Sequence, residues 1–266
     1  MNRIASVFAQ PNHKALIAYV TVGYPNLKAT LELVPLLART GCDMVELGIP
    51  FSDPLADGTT IQEAGHSALQ GGVTPLSCLE VAQQLRSQVD VPLVFMSYYN
   101  PVLRFGLESF CRASTDAGVD GLIVPDLPPE EGTELEAAAR QHKLDLIYLL
   151  APTSTEERIQ LVAQRSRGFI YLVSLRGITG PRETLPPGLD TFVARVRAKA
   201  LQPLCVGFGI SNAAQAAQVA QWTDGIIVGS RLIQLIGQDV PPYRLVEGFI
   251  KGLRKALDEV EKKRAE

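Results

Sequence analysis

The chain has 266 residues, 46% of them hydrophobic and 20% charged, with a formal net charge of −3. That balance suits a soluble globular protein, long enough for one large α/β barrel or two modest domains, and it lacks the clustered Lys and Arg that a nucleic-acid backbone requires. No apolar run approaches the ~18–20 residues of a membrane span, and Met1 to Gln10 is interrupted by polar residues too often to be a signal peptide.

Short runs rich in Val, Ile and Leu alternate with longer amphipathic segments. In chain order, strands are expected at Leu16–Val22, Asp43–Leu47, Pro92–Ser97, Gly121–Val124, Leu144–Leu149, Phe169–Val173, Pro203–Val206 and Gly225–Val228. The helices between them are expected at Ala29–Arg39, Ile61–Gln70 with Pro75–Gln88, Leu107–Ala117, Glu130–His142, Thr155–Arg165, Leu189–Ala198 and Asn212–Ala220. A short helix from Arg231 and a last one within Pro241–Glu266 follow, and Thr153 to Glu156 has the spacing of a capping box. Continuously apolar strands fit a parallel sheet covered on both faces. Eight alternations in 266 residues give ~33 residues per unit, which points to a single (β/α)8 TIM barrel domain over 1–266 with extra N-terminal and C-terminal helical segments.

Asp43, Asp120 and Asp224 each stand just ahead of a strand, with Gly41, Gly118 and Thr223 shortly before them. This internal echo reads as a structural device at the bottom of the barrel. Cys42, Cys78, Cys111 and Cys205 have neither metal-site nor redox-motif spacing and read as reduced, mostly buried thiols of a cytoplasmic protein. His13, His66 and His142 are isolated from one another, and no metal site is expected.

The most informative stretch is Val45 to Gly58, Val-Glu-Leu-Gly-Ile-Pro-Phe-Ser-Asp-Pro-Leu-Ala-Asp-Gly. Glu46 is the lone carboxylate of an apolar strand, and the loop after it carries Asp53 and Asp57. A carboxylate there is costly to bury unless it is paired or used. A salt-bridged Glu46 with turn-forming aspartates and a catalytic Glu46 are both open on residue types alone. Barrel active sites lie at the C-terminal ends of the strands, where this loop falls. Three glycine-bearing turns fall there too: Gly177-Ile178-Thr179-Gly180, Gly207-Phe208-Gly209-Ile210-Ser211 and Gly229-Ser230. The last two open helices, and backbone N–H groups at such starts receive phosphate. Tyr19, Met96, Tyr98, Ile123, Leu149, Tyr171, Phe208 and Ile227 fall near the same rim, as core residues or as walls for a flat aromatic ligand.

The run from Val45 to Gly58 resembles the signature of the tryptophan synthase alpha subunit family at every position, and the resemblance extends through nearly the whole chain. It implies cofactor-independent retro-aldol cleavage of indole-3-glycerol phosphate to indole and glyceraldehyde 3-phosphate. By the same resemblance Glu46 is the acid–base residue and Asp57 holds the indole N–H. Thr179 closes the loop after the sixth strand over Asp57, and Gly180, Gly209, Gly229 and Ser230 cradle the phosphate. Ile61 joins the rim residues around the indole. Met96-Ser97-Tyr98-Tyr99-Asn100-Pro101 resembles the family's third-strand motif, and Pro50, Asp53 and Asn100 are implied to face a beta subunit in an αββα assembly. Pyridoxal phosphate is then expected only in that partner. The loop Ser174 to Gly188 departs from the family pattern at Leu175-Arg176 and Pro181. A free-standing lyase is therefore the second reading, ahead of a phosphosugar enzyme on a related barrel and a non-catalytic scaffold.

Overall fold

The computed structural model of the chain describes residues 2–173, 185, 187–207 and 209–265. Nine parallel strands form one sheet: β1 Ala15–Thr21, β2 Met44–Gly48, β3 Leu93–Met96, β4 Gly121–Ile123, β5 Asp145–Ile147, β6 Leu149–Leu150, β7 Ile170–Val173, β8 Leu204–Gly207 and β9 Gly225–Val228. Their spatial order is β5-β4-β3-β2-β1-β9-β8-β7-β6. The two ends of that order are separated in the chain by Tyr148 alone, so the sheet closes on itself. The expected fifth strand is thus a handover. Its first half pairs with β4 and its second with β7. At the joint the Tyr148 N–H leaves the ladder and donates to the Ser166 hydroxyl at 3.1 Å.

Every residue of β1, β2, β3, β8 and β9 is buried, as a barrel wrapped by helices outside and filled by side chains inside demands. The helical layer begins on turn chemistry legible in the chain. The Asn26 side chain accepts from the Ala29 N–H at 2.9 Å, and Asn212 accepts from Gln215 in the same way. Thr74 and Ser77 form a reciprocal capping box at the start of the helix Pro75–Arg86.

Three helix expectations need correction. Thr153 caps nothing. The helix is Glu156–Arg165, and Thr155 is the residue that accepts from Arg158 N–H. The segment expected as one helix from Glu130 is a 3-10 turn, Pro129–Glu131, and a helix, Thr133–Gln141, joined at Gly132. An additional helix, Tyr99–Phe105, precedes Leu107–Asp116. Its Pro101 occupies the first turn, where a backbone N–H has no helical partner to lose. A further short helix, Arg3–Val7, leads into the barrel, and a long one, Arg244–Ala265, ends it.

The three echoed aspartates share one structural job. Each exchanges two hydrogen bonds with the neighbouring strand. The Asp43 N–H donates to Leu16 C=O while the Leu16 N–H donates to the Asp43 carboxylate at 2.7 Å. Asp120 does the same with Leu93 (3.0 Å) and Asp224 with Leu204 (2.8 Å). An arginine from another element then closes each carboxylate: Arg254 on Asp43 at 3.1 Å, Arg86 on Asp120 at 3.2 Å, and Arg197 on Asp224. At two of the three the preceding glycine makes the approach possible. Gly41 (φ +112°) and Gly118 (φ +81°) take left-handed conformations, and a Cβ there would lie 2.7 Å from Arg254 Cγ and 2.4 Å from Arg86 Cγ.

Arg254 also ties the last helix to the floor of the barrel. It reaches Lys14 C=O at 2.9 Å, Asp43 at 3.1 Å and Glu261 at 2.6 Å. His13 bridges the same two carboxylates from the other side, with Nε2 2.9 Å from Asp43 Oδ1 and Nδ1 3.3 Å from Glu261 Oε1. The cysteines are free and buried, no group of three or more His, Cys, Asp or Glu able to hold a metal occurs among the described residues, and no described helix is long and apolar enough to cross a membrane.

Candidate active site

β2 carries Glu46 opposite Tyr19 of β1 and Val94 of β3. The register turns the Glu46 side chain toward the barrel interior, within electrostatic reach of Tyr19, Tyr171 and Cys205. Glu46 is 0% exposed, and neither carboxylate oxygen has a hydrogen-bond partner among the described residues. Burial alone drives its pKa up to about 8, because nothing compensates the lost hydration of the charged form. A carboxyl of this kind is protonated at neutral pH and able to give its proton away.

Two tyrosines roof this acid, and each depends on a glycine of the adjacent strand. In the β1–β2 ladder Thr21 pairs with Gly48, two residues beyond the Tyr19–Glu46 pair. A Cβ on Gly48 would lie 2.2 Å from the Tyr19 hydroxyl. In the β7–β8 ladder Val173 pairs with Gly207, two residues beyond Tyr171–Cys205, and a Cβ on Gly207 would lie 2.2 Å from the Tyr171 hydroxyl. The Tyr19 hydroxyl is 3.3 Å from the Thr21 hydroxyl.

The loop after β2 returns Asp57 over the same interior. Its backbone is folded by Asp57 N–H to Pro54 C=O at 3.0 Å, and the Gln62 side chain donates to the carbonyls of Asp57 (3.0 Å) and Pro54 (3.2 Å). Tyr98 anchors the loop from the end of β3. Its hydroxyl accepts from the Ala56 N–H at 2.9 Å, and its ring packs on Phe51 with centroids 5.3 Å apart. The Asp57 carboxylate is buried with Oδ1 unpartnered among the described residues. Burial raises its pKa to about 6, against the lowering effect of the Tyr98 hydroxyl. Asp57 is thus mostly ionised at neutral pH where Glu46 is mostly protonated, and this pair of environments separates an acid from an anion.

Asp57 lies between two hollows. One is a cleft lined by Tyr19, Ile61, Met96, Tyr171, Ile227 and Asp57 together with Gly209, Ile210, Ser211, Gly229, Ser230 and Arg231. The second is a groove of about 780 Å³ over the ends of β4 to β7, reached by Leu149, Tyr148 and Leu127. Of the residues singled out from the sequence, eight binding candidates and Asp57 meet in the cleft. Leu149 lines the groove instead, Ile123 is buried and lines neither hollow, and Tyr98 acts through the loop. Thr179, Gly180 and Phe208 lie outside the described residues.

The glycine-bearing part of the cleft presents backbone donors. Gly209 has φ +91°, and Gly229 precedes the helix Ser230–Gln238, whose start has no side-chain cap and no acidic residue in its first turn. The first N–H groups of that helix are therefore open donors with a positive local dipole. Gly48 and Arg231 were not singled out in the sequence as site residues. A glycine at the end of a buried strand signals close approach by another group. Arg231 gives no such sign, since its neighbours in the cleft come from other elements.

Elsewhere on the rim, Pro50, Phe51, Ser52, Leu76, Asn100 and Phe105 are among the residues bordering a separate groove of about 450 Å³. Leu55 and Leu76 are 92% and 58% exposed. Asp53 is exposed on the same loop and accepts from the Ser52 hydroxyl.

Comparison with known proteins agrees with this geometry. Residues 6–262 match the family model described as tryptophan synthase alpha chain. The chain is 57% identical over 258 residues to the tryptophan synthase alpha chain of Dehalococcoides mccartyi, covering 97% of this chain and 100% of that one. It is 47% identical over 262 residues to that of Geobacter sulfurreducens, covering 97% and 99%. Among solved structures it superposes on Mycobacterium tuberculosis tryptophan synthase with a TM-score of 0.90 at 38% identity, covering 96% of this chain and 98% of that one. Tryptophan synthase subunit alpha from Legionella pneumophila gives 0.90 at 35% identity, covering 97% and 99%.

Proposed function

The chain belongs to the tryptophan synthase alpha chain family, and on that premise we propose that Glu46 and Asp57 carry its chemistry. The activity is aldol cleavage of indole-3-glycerol phosphate to indole and glyceraldehyde 3-phosphate, a carbon–carbon lyase step in tryptophan biosynthesis. The observation that carries the assignment is the buried Glu46 carboxyl, without a hydrogen-bond partner among the described residues, in a barrel interior shared with the ionised Asp57.

The protonated Glu46 gives its proton to indole C3. The positive charge that develops on the ring nitrogen is held by the Asp57 carboxylate through the N–H. The Glu46 carboxylate left behind then takes the proton of the side-chain hydroxyl as the bond from C3 to that carbon breaks. The bonding pair returns to the ring, the hydroxyl carbon becomes the aldehyde, and Glu46 ends protonated as it began. Protons and electrons balance on two carboxylates, so the reaction as written needs no cofactor. Tyr19, Ile61, Met96, Tyr171 and Ile227 wall the indole. The backbone at Gly209, Gly229 and Ser230 receives the phosphate.

The exposed Leu76 and the groove bordered by Pro50 and Asn100 support a docking face for a beta subunit, with Asp53 at its margin. Pyridoxal phosphate is expected only in that partner, which would take up the released indole in an αββα assembly. The buried free cysteines suit work in the cytoplasm, and residues 1–266 act as one barrel domain. Indole release from indole-3-glycerol phosphate, with and without a beta subunit, tests the reading alongside Glu46→Gln and Asp57→Asn. Slow cleavage that rises with the partner and disappears in both variants is expected. Rapid cleavage without a partner would favour the free-standing lyase, and full activity in Glu46→Gln would overturn the catalytic assignment. Leu76→Glu is expected to weaken the complex at least tenfold while the isolated chain keeps its activity.

A further inference from the structure

Six arginines among the described residues are half-buried: Arg86, Arg158, Arg165, Arg195, Arg231 and Arg254. Five of them end on a carboxylate, Asp120, Glu130, Glu136, Glu156 and Asp43 respectively, with Arg231 the exception. The single polar contact of the Arg231 guanidinium among the described residues is Nη1 to Gln234 Oε1 at 3.3 Å. A partly desolvated cation without a counter-ion is costly unless something anionic joins it.

The place of Arg231 sharpens the point. It is the second residue of the helix Ser230–Gln238, where the helix dipole is positive and cations are disfavoured, and no acidic residue stands in that first turn. Arg231 also lines the cleft together with Gly209, Ser211, Gly229 and Ser230. Two like-signed features, an uncapped helix start and a guanidinium with no carboxylate partner among the described residues, belong to residues that border one cleft. An anion between them relieves both, and a phosphate monoester dianion matches the fork of a guanidinium.

We propose that Arg231 is a further substrate-binding residue, supplying cationic charge to the phosphate monoester that the neighbouring backbone N–H groups hold. This rests on the reading that the glycine-bearing part of the cleft receives the phosphate. The acid–base step is untouched by it, so Arg231 contributes to binding in the ground and transition states alike, and its loss falls on KM.

The experiment compares wild type, Arg231→Gln and Arg231→Lys in two readouts. The first is steady-state cleavage of indole-3-glycerol phosphate, with inorganic phosphate as a competitive inhibitor. The second is the rise in Tm that inorganic phosphate produces. Arg231→Gln is expected to raise KM and the phosphate inhibition constant about tenfold each, with kcat within about twofold. The phosphate-induced rise in Tm shrinks in that variant, while its Tm without phosphate holds or increases. Arg231→Lys falls between the two, because it keeps the charge and loses the fork. Unchanged KM and unchanged phosphate stabilisation in Arg231→Gln would overturn the proposal, as would a fall in kcat alone. The Tm readout needs no turnover. A wild type that binds phosphate through Arg231 yet releases no indole would therefore refute the lyase assignment and leave this inference standing.

Discussion

The Tyr19 hydroxyl occupies the space that a methyl group on Gly48 would fill, 2.2 Å from the ideal Cβ position, with two ring carbons at 2.6 and 2.7 Å. Gly48 cannot retreat, because the ladders pin it to Thr21 on one side and Met96 on the other. Gly48→Ala therefore displaces the tyrosine and with it one wall of the cleft. A stability loss of about 1–3 kcal/mol is expected, the usual cost of overpacking, together with at least a tenfold drop in kcat/KM. Combining it with Tyr19→Leu should cost less than the sum of the single changes, and a double-mutant cycle by urea unfolding reads that coupling. Strict additivity would show that the two side chains do not compete for space.

Cleavage should have a bell-shaped pH dependence. As pH falls through about 6, Asp57 gains a proton and can no longer hold charge on the indole nitrogen. As pH rises through about 8, Glu46 loses the proton that indole C3 must receive. The limbs of kcat/KM report these groups in the free enzyme. A flat profile between pH 5 and 9 would contradict the acid–base roles.

Glu46 makes the fold weaker as it makes the site reactive. Its folded pKa of about 8 lies above the ordinary 4.5, so between those values the folded chain holds a proton that the unfolded chain has released. Stability therefore falls as pH rises through that window, and the full cost, on the order of a few kcal/mol, is present above it. Glu46→Gln abolishes turnover yet should melt higher than wild type, by a margin small at pH 5 and largest at pH 9. Thermal unfolding at both pH values checks this, and a margin independent of pH would refute it.

His13 has the opposite temperament. Both ring nitrogens face carboxylates, and only the doubly protonated ring donates from both. The hydrogen bond to Asp43, helped by the charges of Asp43 and Glu261, raises its pKa above 6.5 against burial and Arg254. Its contribution is thus fully present below 6.5 and is lost as pH rises through the raised folded value. His13→Gln should lower stability by about 1 kcal/mol at pH 5.5, with the deficit closing by pH 9. A deficit that persists at pH 9 would mean the ring matters for packing rather than charge.

The barrel was readable because its strands are apolar from end to end, and Leu16, Val45 and Ile226 announce themselves without regard to what packs on them. Local chemistry misled in places where two residues competed for one role. Thr153 has the spacing of a cap, but Thr155 stands next to the first helical residue and takes it. The helix Tyr99–Phe105 was not expected, and Pro101 in its first turn breaks nothing. The strand-start aspartates were legible as a repeat, but not their arginines, since Arg86, Arg197 and Arg254 reach them from distant parts of the chain. Glu46 stood out as one acid in an apolar run, while its lack of a hydrogen-bond partner among the described residues is a property of three dimensions. Arg231 belongs to the same class, because its want of a carboxylate among the described residues is visible only against five half-buried arginines that have one.

The tie between Arg254 and Lys14 spans 240 positions of sequence, and that separation sets an order of events. Local strand pairs such as β1 with β2 close short loops and form early, whereas a loop of that length closes only after most of the barrel exists. The last helix is therefore a late-arriving keystone. Until it docks, Asp43 lacks the Arg254 guanidinium and Glu261, carried on the same helix, has not reached His13 and the Lys14 N–H, so the floor of the barrel stays open. Folding followed by hydrogen exchange should find the Lys14 N–H, which donates to Glu261, and the Ala15 N–H, which donates to Asp224 C=O, protected after the amides of the β1–β2 ladder.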